Sequence, residues 1–184
     1  MARVLVTGAS GFIGTRLTYA LMEHGDRVKC LVRDPARGTY LKQLGADLTV
    51  GDVLDESSLV AALRGVSRVY HAAGAVKAVR KDQFTAINRD GVANLLSAAI
   101  RSAATPEIVI ISSLAAAGPS SADTPKTETD RPEPISYYGR SKRDAELAAH
   151  ARAAEPPITI VRPPMVFGAG DPNGRMLFQT IVRT

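Results

Sequence analysis

The sequence predicts an α/β domain: a doubly wound parallel sheet with helices on both faces. Two observations carry this. Short aliphatic and β-branched runs alternate with longer stretches of helical periodicity, and the short runs are apolar throughout, as strands covered on both faces must be. A glycine-rich turn joins the first such run to the first helical stretch, at the very start of the chain. Right-handed crossovers then wind the sheet outward in both directions from a central switch point.

Taken in order, Val4–Val6 is a buried strand, and Ile13, Leu17, Ala20 and Leu21 recur at helical spacing until Gly25. Val28–Val32 is a second strand, closed by an Asp34-Pro35 turn, and Leu48–Val50 a third. Asp55 or Ser57 caps a helix over about Ser57–Leu63. Val69–His71 is the fourth strand. A long helix over Phe84–Ala99 follows, with Ile87, Val92, Leu95, Leu96 and Ala99 on its apolar side. Ile108–Ile111 is strand five, the stretch from Tyr138 to about Ala154 is helix, and Ile158–Val161 is strand six. Gly118–Ser136, polar and carrying Pro119, Pro125, Pro132 and Pro134, is a long loop of the kind that usually serves function.

Composition narrows the classes. At 184 residues and 45% hydrophobic content, one domain with a real core is expected, and disordered, collagen-like and disulfide-scaffold classes are excluded. Cys30 is the only cysteine, which excludes an internal disulfide and fits a reducing cytoplasm. It reads as a small buried apolar residue. His24, His71 and His150 are scattered without metal-ligand spacing, so no metal is expected, and His71 reads as packed rather than catalytic. Lys and Arg total 23 against 18 acids, a mild excess too diffuse for nucleic acid but suited to a small phosphorylated ligand. No run has the length of a membrane span and none resembles a signal peptide, so a soluble intracellular domain is expected.

The turn Thr7-Gly8-Ala9-Ser10-Gly11-Phe12-Ile13-Gly14 points to a dinucleotide and a Rossmann-type fold. Gly8 permits the tight turn, Gly11 lets a pyrophosphate approach, and Gly14 allows close helix–strand packing. The backbone N–H groups at Ser10, Phe12 and Ile13 and the positive helix end face the phosphates. An acid about twenty positions on would hold a ribose 2′-hydroxyl. Asp34 has about that spacing but falls in the turn, and the strand tip is Val32 followed by Arg33. Arg33 and Arg37 offer guanidinium forks suited to a 2′-phosphate, favouring NADP(H) over NAD(H). The plainer alternative is two solvated surface arginines. Asp52, with Val53 beside it, follows strand three and is placed to accept from an adenine amino group.

Tyr138 and Lys142 stand four apart near a helix start and so share a face. An ammonium beside a phenol lowers its pKa toward working pH, which makes Tyr138 a candidate acid/base. Ser113 ends strand five at the carboxyl edge, where its hydroxyl can hold a carbonyl or alkoxide oxygen. A surface Tyr/Lys pair and a turn-capping serine are the plainer readings of the same residues.

Taken together, Thr7-Gly8-x-x-Gly11-x-x-Gly14, His71-Ala72-Ala73-Gly74, Asn88-x-x-Gly91, Ser112-Ser113, Tyr138-x-x-x-Lys142 and Arg162-Pro163 occur in that order over nearly the whole chain. This pattern resembles the extended short-chain dehydrogenase/reductase family, the NAD-dependent epimerase/dehydratase type. Val32-Arg33-Asp34-Pro35 is similar to its NADPH-using, dihydroflavonol-reductase-like branch. The resemblance implies Tyr138 as acid/base, Ser113 as carbonyl-oxygen donor, Lys142 on the nicotinamide ribose and Asn88 supporting a proton-relay water. It also implies Ala72, Ala73 and Gly74 lining the cofactor, and Pro163 and Pro164 beside the nicotinamide. Two departures stand out. Ala117 occupies a place where the family often has tyrosine. The chain also stops at Thr184, where members continue into a substrate-binding subdomain.

The expectation is therefore an NADP(H)-dependent oxidoreductase acting on a small carbonyl or alcohol substrate. The alternatives are a nucleotide-sugar epimerase or dehydratase with tightly bound NAD(P), or a dinucleotide sensor without catalysis. Residues 1–184 are expected to form the dinucleotide-binding domain, inactive or nearly so without the subdomain. The last helix should expose Met176, Leu177 and Ile181, an apolar patch that favours association such as a homodimer. Neither nucleic acid nor membrane is an expected partner.

Overall fold

The computed structural model describes residues 1–102, 105–121, 123–152, 156–171 and 179. Its strands are β1 (Arg3–Thr7), β2 (Arg27–Val32), β3 (Asp47–Val50), β4 (Arg68–His71), β5 (Glu107–Ile111) and β6 (Ile158–Val161). They form one sheet in the order β3-β2-β1-β4-β5-β6, with every pairing parallel. The helices are α1 (Phe12–Glu23), α2 (Thr39–Gln43), α3 (Glu56–Ala62), α4 (Lys81–Phe84), α5 (Gly91–Ile100), α6 (Leu114–Ala117) and α7 (Tyr137–His150). This is the Rossmann-type doubly wound fold.

The apolar strands feed two cores because successive side chains point to opposite faces. Val4, Val6, Val28 and Cys30 pack with Leu21 of α1 and Leu41 of α2 on one face. Leu5, Leu31, Val69, Ile108 and Ile110 pack on the other with Leu59 of α3, Leu95 and Leu96 of α5, and Ala145 and Ala149 of α7. The order in which the chain adds strands reverses between β1 and β4, so the connections leaving their carboxyl ends run to opposite sides and open a crevice there.

The connection from β2 to β3 is more ordered than a single turn. Asp34 accepts from the Ala36 N–H at 3.0 Å and caps a 3-10 turn over Pro35–Gly38, which runs into α2. Only Leu41 of α2 is buried, so five residues carry no periodicity to read. The helix expected over Phe84–Ala99 begins at Lys81 and ends at Ile100, with a wider π-type turn over Thr85–Asp90 between α4 and α5. Ser136 caps α7, accepting from Gly139 N–H at 2.9 Å. That helix ends at His150, short of the expected Ala154, which itself lies outside the described residues.

The described part of Gly118–Ser136 contains neither helix nor strand. It is pinned at the Ala117 carbonyl, which accepts from Lys126 Nζ at 3.0 Å and from Glu133 N–H at 2.9 Å. The expected last helix, with Met176, Leu177, Ile181 and Val182, lies outside the described residues. Among the described residues, no helix is long and apolar enough to cross a membrane.

Candidate active site

A cleft of about 480 Å3 opens over the carboxyl ends of β1 to β4. It gathers Gly8, Ser10, Gly11, Arg33, Arg37, Asp52, Val53, Ala72, Ala73 and Gly74, residues that sequence reasoning assigned separately. Gly8 has φ +69°, and a Cβ there would stand 2.6 Å from the Ala73 nitrogen; a Cβ on Gly14 would stand 2.1 Å from the Gly8 carbonyl oxygen. Both positions therefore require glycine for close backbone approach. A Cβ on Gly11 would meet only the Gly8 oxygen, at 3.2 Å, so its other side is open to the cleft. Gly11 precedes α1 without a side-chain cap, leaving the first-turn N–H groups of that helix for a ligand. A phosphate-bearing dinucleotide fits this cradle.

Phe12 and Ile13 open α1 at the cradle's rim. The Phe12 ring turns away toward Gly168 and Gly170, whose Cβ positions lie 3.8 and 3.9 Å from it. Arg33 and Arg37 line the other end of the cleft, both exposed, and among the described residues neither forms an ion pair. Asp52 spends one carboxylate oxygen on Leu54 N–H at 3.0 Å. Asp34 caps the turn after β2, accepting from Ala36 N–H at 3.0 Å.

The second half of the site hangs on α7. Lys142 is 5% exposed and its Nζ donates to the Ile111 carbonyl at 2.6 Å, at the end of β5. Burial pushes its pKa down to about 8, and the Glu146 charge opposes that. Tyr138, one turn earlier, is half-buried, and its ring meets Phe84 at 6.3 Å between centroids, tilted by 59°. Ser113 Oγ accepts from Ala115 N–H at 3.1 Å and so caps α6. The start of α7 lies directly on α6, since a Cβ on Gly139 would stand 2.3 Å from the Ala115 oxygen. Pro163 joins this side too, its carbonyl accepting from Leu114 N–H at 3.0 Å, while Pro164 is exposed.

Asn88 is buried in the π-type turn, the kind of irregularity that often marks functional positions. Its Oδ1 accepts from Ala75 N–H at 2.7 Å; its Nδ2 donates to the Ala75 carbonyl at 3.1 Å and to Ser141 Oγ at 2.8 Å. It thus fastens the loop after β4 to α7. Gly74 lies where the two halves meet: a Cβ there would stand 3.1 Å from Asn88 Oδ1 and 3.7 Å from Lys142 Nζ.

Sequence reasoning did not find Ser141, Gly139 or Glu146 as parts of this site, and quoted Arg162 only in its motif with Pro163. Gly139 and Ser141 lie between Tyr138 and Lys142, where spacing alone marks nothing. The remaining singled-out groups are structural. His71 is fully buried, paired to Thr7 Oγ1 at 2.9 Å, and burial lowers its pKa to about 3. Cys30 is buried, and desolvation raises its thiol to about 11. Ala117, the family's frequent tyrosine position, is buried beneath the loop it anchors.

Comparison with known proteins bears on the family and the fold. The NAD dependent epimerase/dehydratase family matches residues 4–183. Ceramide reductase of Caulobacter vibrioides is 35% identical over 181 residues, covering 98% of this chain and 51% of that protein. A short-chain dehydrogenase/reductase superfamily protein from Agrobacterium tumefaciens, solved with bound NAD, is 30% identical with a TM-score of 0.72, over 87% of this chain and 48% of that one. The fold alone is shared with a UDP-glucuronic acid 4-epimerase from Bacillus cereus, at 24% identity and a TM-score of 0.85, over 99% of this chain and 63% of that one. The chain spans about half the length of the curated relatives it matches.

Proposed function

The chain belongs to the NAD dependent epimerase/dehydratase family, and from that membership we propose an NADP(H)-dependent oxidoreductase that interconverts a small carbonyl compound and its alcohol. The family comprises NAD(P)-dependent reductases and epimerases acting on small molecules. When bound, the dinucleotide supplies or accepts the hydride. The protein's own groups do the rest. Backbone N–H groups from Ser10 to Ile13, beside Gly8 and Gly11, hold the pyrophosphate, and Arg33 with Arg37 grips the 2′-phosphate. Asp52 and Val53 flank the adenine, and Ala72, Ala73, Gly74, Pro163 and Pro164 line the nicotinamide end. Ser113 orients the substrate oxygen and Tyr138 gives or takes its proton. The Lys142 ammonium holds the adjoining ribose. Asn88 supports a relay water. Residues 1–184 act as the dinucleotide-binding domain, with the substrate wall supplied outside them. The lone buried Cys30 suits a cytoplasmic setting.

The observation that carries this reading is the buried Lys142 ammonium, one helical turn from Tyr138 and bonded to the strand tail that leads into Ser113. The reductase side is supported by Val32 standing at the tip of β2, where an acid would favour NAD, with Arg33 next to it in the cleft, and by the ceramide reductase relative. NAD in the Agrobacterium structure belongs to that protein and sets the alternative to be tested. The experiment is a panel of ketones, aldehydes and nucleotide sugars given to the full-length protein with NADPH or NADH. Stoichiometric NADPH oxidation at 340 nm is expected. Turnover of a nucleotide sugar without net consumption would replace the reading with an epimerase or dehydratase.

A further inference from the structure

Glu146 is 2% exposed, and a carboxylate removed from water is costly unless it is paired and hydrogen-bonded. Here it is fully engaged. The Ser112 hydroxyl donates to Oε1. Arg162, immediately past β6, donates from Nε at 3.0 Å to Oε1 and from an Nη at 2.7 Å to Oε2. One helix residue is thereby joined to the tails of two adjacent strands. The tails are themselves laced together, Ser112 N–H to the Val161 carbonyl at 2.7 Å and Leu114 N–H to the Pro163 carbonyl at 3.0 Å.

Tyr138, Lys142 and Glu146 are spaced four apart and form one stripe along α7. Lys142 takes the Ile111 carbonyl, Glu146 takes the Ser112 side chain, and Ser113 comes next. Two consecutive turns of the helix thus grip two consecutive residues of the β5 tail. A slide or rotation of α7 would have to break both grips.

We propose that Glu146 is a positioning residue of the proton-transfer site, locking α7 to the tails of β5 and β6 and presenting its negative charge to Lys142. The proposal rests on the assignment of Tyr138 and Lys142 given above. The titratable and charged groups around Lys142 are His71 from β4, Tyr138 and Glu146 from its own helix, and Arg162 behind Glu146. His71 stays neutral, and Arg162 is paired with Glu146, so its positive charge offsets part of the carboxylate's pull on Lys142. Glu146 is the anion of this set, and its charge favours the Lys142 ammonium against burial.

The test follows Lys142 directly. The chain is labelled with 13Cε-lysine, and the Lys142 signal is assigned by its loss in Lys142→Arg. Glu146→Gln should lower the Lys142 titration midpoint by about one pH unit, as expected for loss of a close opposite charge. That variant strands Arg162 without a partner and is exposed to misfolding. The double variant Glu146→Gln with Arg162→Met removes the stranded guanidinium and keeps an acceptor for Ser112. It should melt near the parent and still show a lowered midpoint, by less than the single variant because the Arg162 charge is gone as well, and Glu146→Asp should recover most of the parent midpoint. An unchanged midpoint in a folded variant, or loss of fold in both Gln variants, would reduce the triad to a stability device and overturn the proposal. Because the readout is a lysine signal and not turnover, it stands apart from the functional reading, which fails if Tyr138→Phe keeps its activity in the panel.

Discussion

Asn88 on the π-type turn donates to Ser141 Oγ on α7 at 2.8 Å, and Ser141 in turn donates to the Tyr138 carbonyl at 2.7 Å. One amide side chain thus connects the loop leaving β4, through its paired bonds to Ala75, with the turn that carries the candidate acid/base. Asn88→Ala should leave the Ala75 N–H and carbonyl without partners. A destabilisation of about 1–3 kcal/mol is expected from these half-buried groups and from the Ser141 hydroxyl losing its donor. Urea unfolding at neutral pH measures it, and a midpoint equal to the parent's would show that water replaces the amide at no cost.

Arg33 sets the cofactor expectation. Arg33→Ala should weaken NADPH by about 1.5–3 kcal/mol, the range for a lost charge-assisted hydrogen bond, and leave NADH nearly untouched. Titrations of both nucleotides against both proteins decide this. Equal losses for the two nucleotides would remove Arg33 from 2′-phosphate recognition.

Tyr138→Phe keeps the ring that meets Phe84 and removes only the hydroxyl. Fold and nucleotide affinity should persist while turnover of the full-length protein drops by about 10²–10⁴, the usual scale of general acid–base assistance. Near-normal turnover would assign the proton to another group.

His71 gives a pH signature in stability. Its pKa is about 3 in the folded chain against an ordinary value near 6.5, so between those values the unfolded chain binds a proton that the folded chain excludes. Stability is therefore lost as pH falls from about 6.5 toward 3, by up to about 1.4 kcal/mol per pH unit. In His71→Gln this slope should be shallower, because other groups titrate alike in both proteins. A parent-minus-variant difference that stays constant from pH 7.5 to 5 would contradict the buried neutral imidazole.

What the sequence makes legible is local. Strands such as Val4–Val6 and Ile108–Ile111 show as unbroken apolar runs, and the Gly8–Gly14 turn and the Tyr138–Lys142 spacing are patterns within eight residues. The short α2 escapes because a single side chain, Leu41, faces the core. The supports of the site escape for a different reason. Asn88 with Ser141, Ser112 with Glu146 and Glu146 with Arg162 join positions 53, 34 and 16 apart, and no periodicity records such pairings. Ser141, flanked by Arg140 and Lys142, and Asn88, followed by Arg89 and Asp90, do not stand out from their neighbours, and their pairing shows only once the fold brings the partners together.

The strand order divides the molecule's inheritance as well as its sheet. On the proposed assignment, the groups that distinguish one nucleotide from another, from Gly8 through Arg33 to Asp52, are encoded before Arg68 begins β4, and those that move a proton are encoded after His71. Between the two lies a seam crossed by the β1–β4 pairing and by the close approach of Gly8 to Ala72 and Ala73. On that assignment, a change of nucleotide preference needs substitutions only in the segment up to Asp52, and the acid–base residues encoded downstream stay as they are.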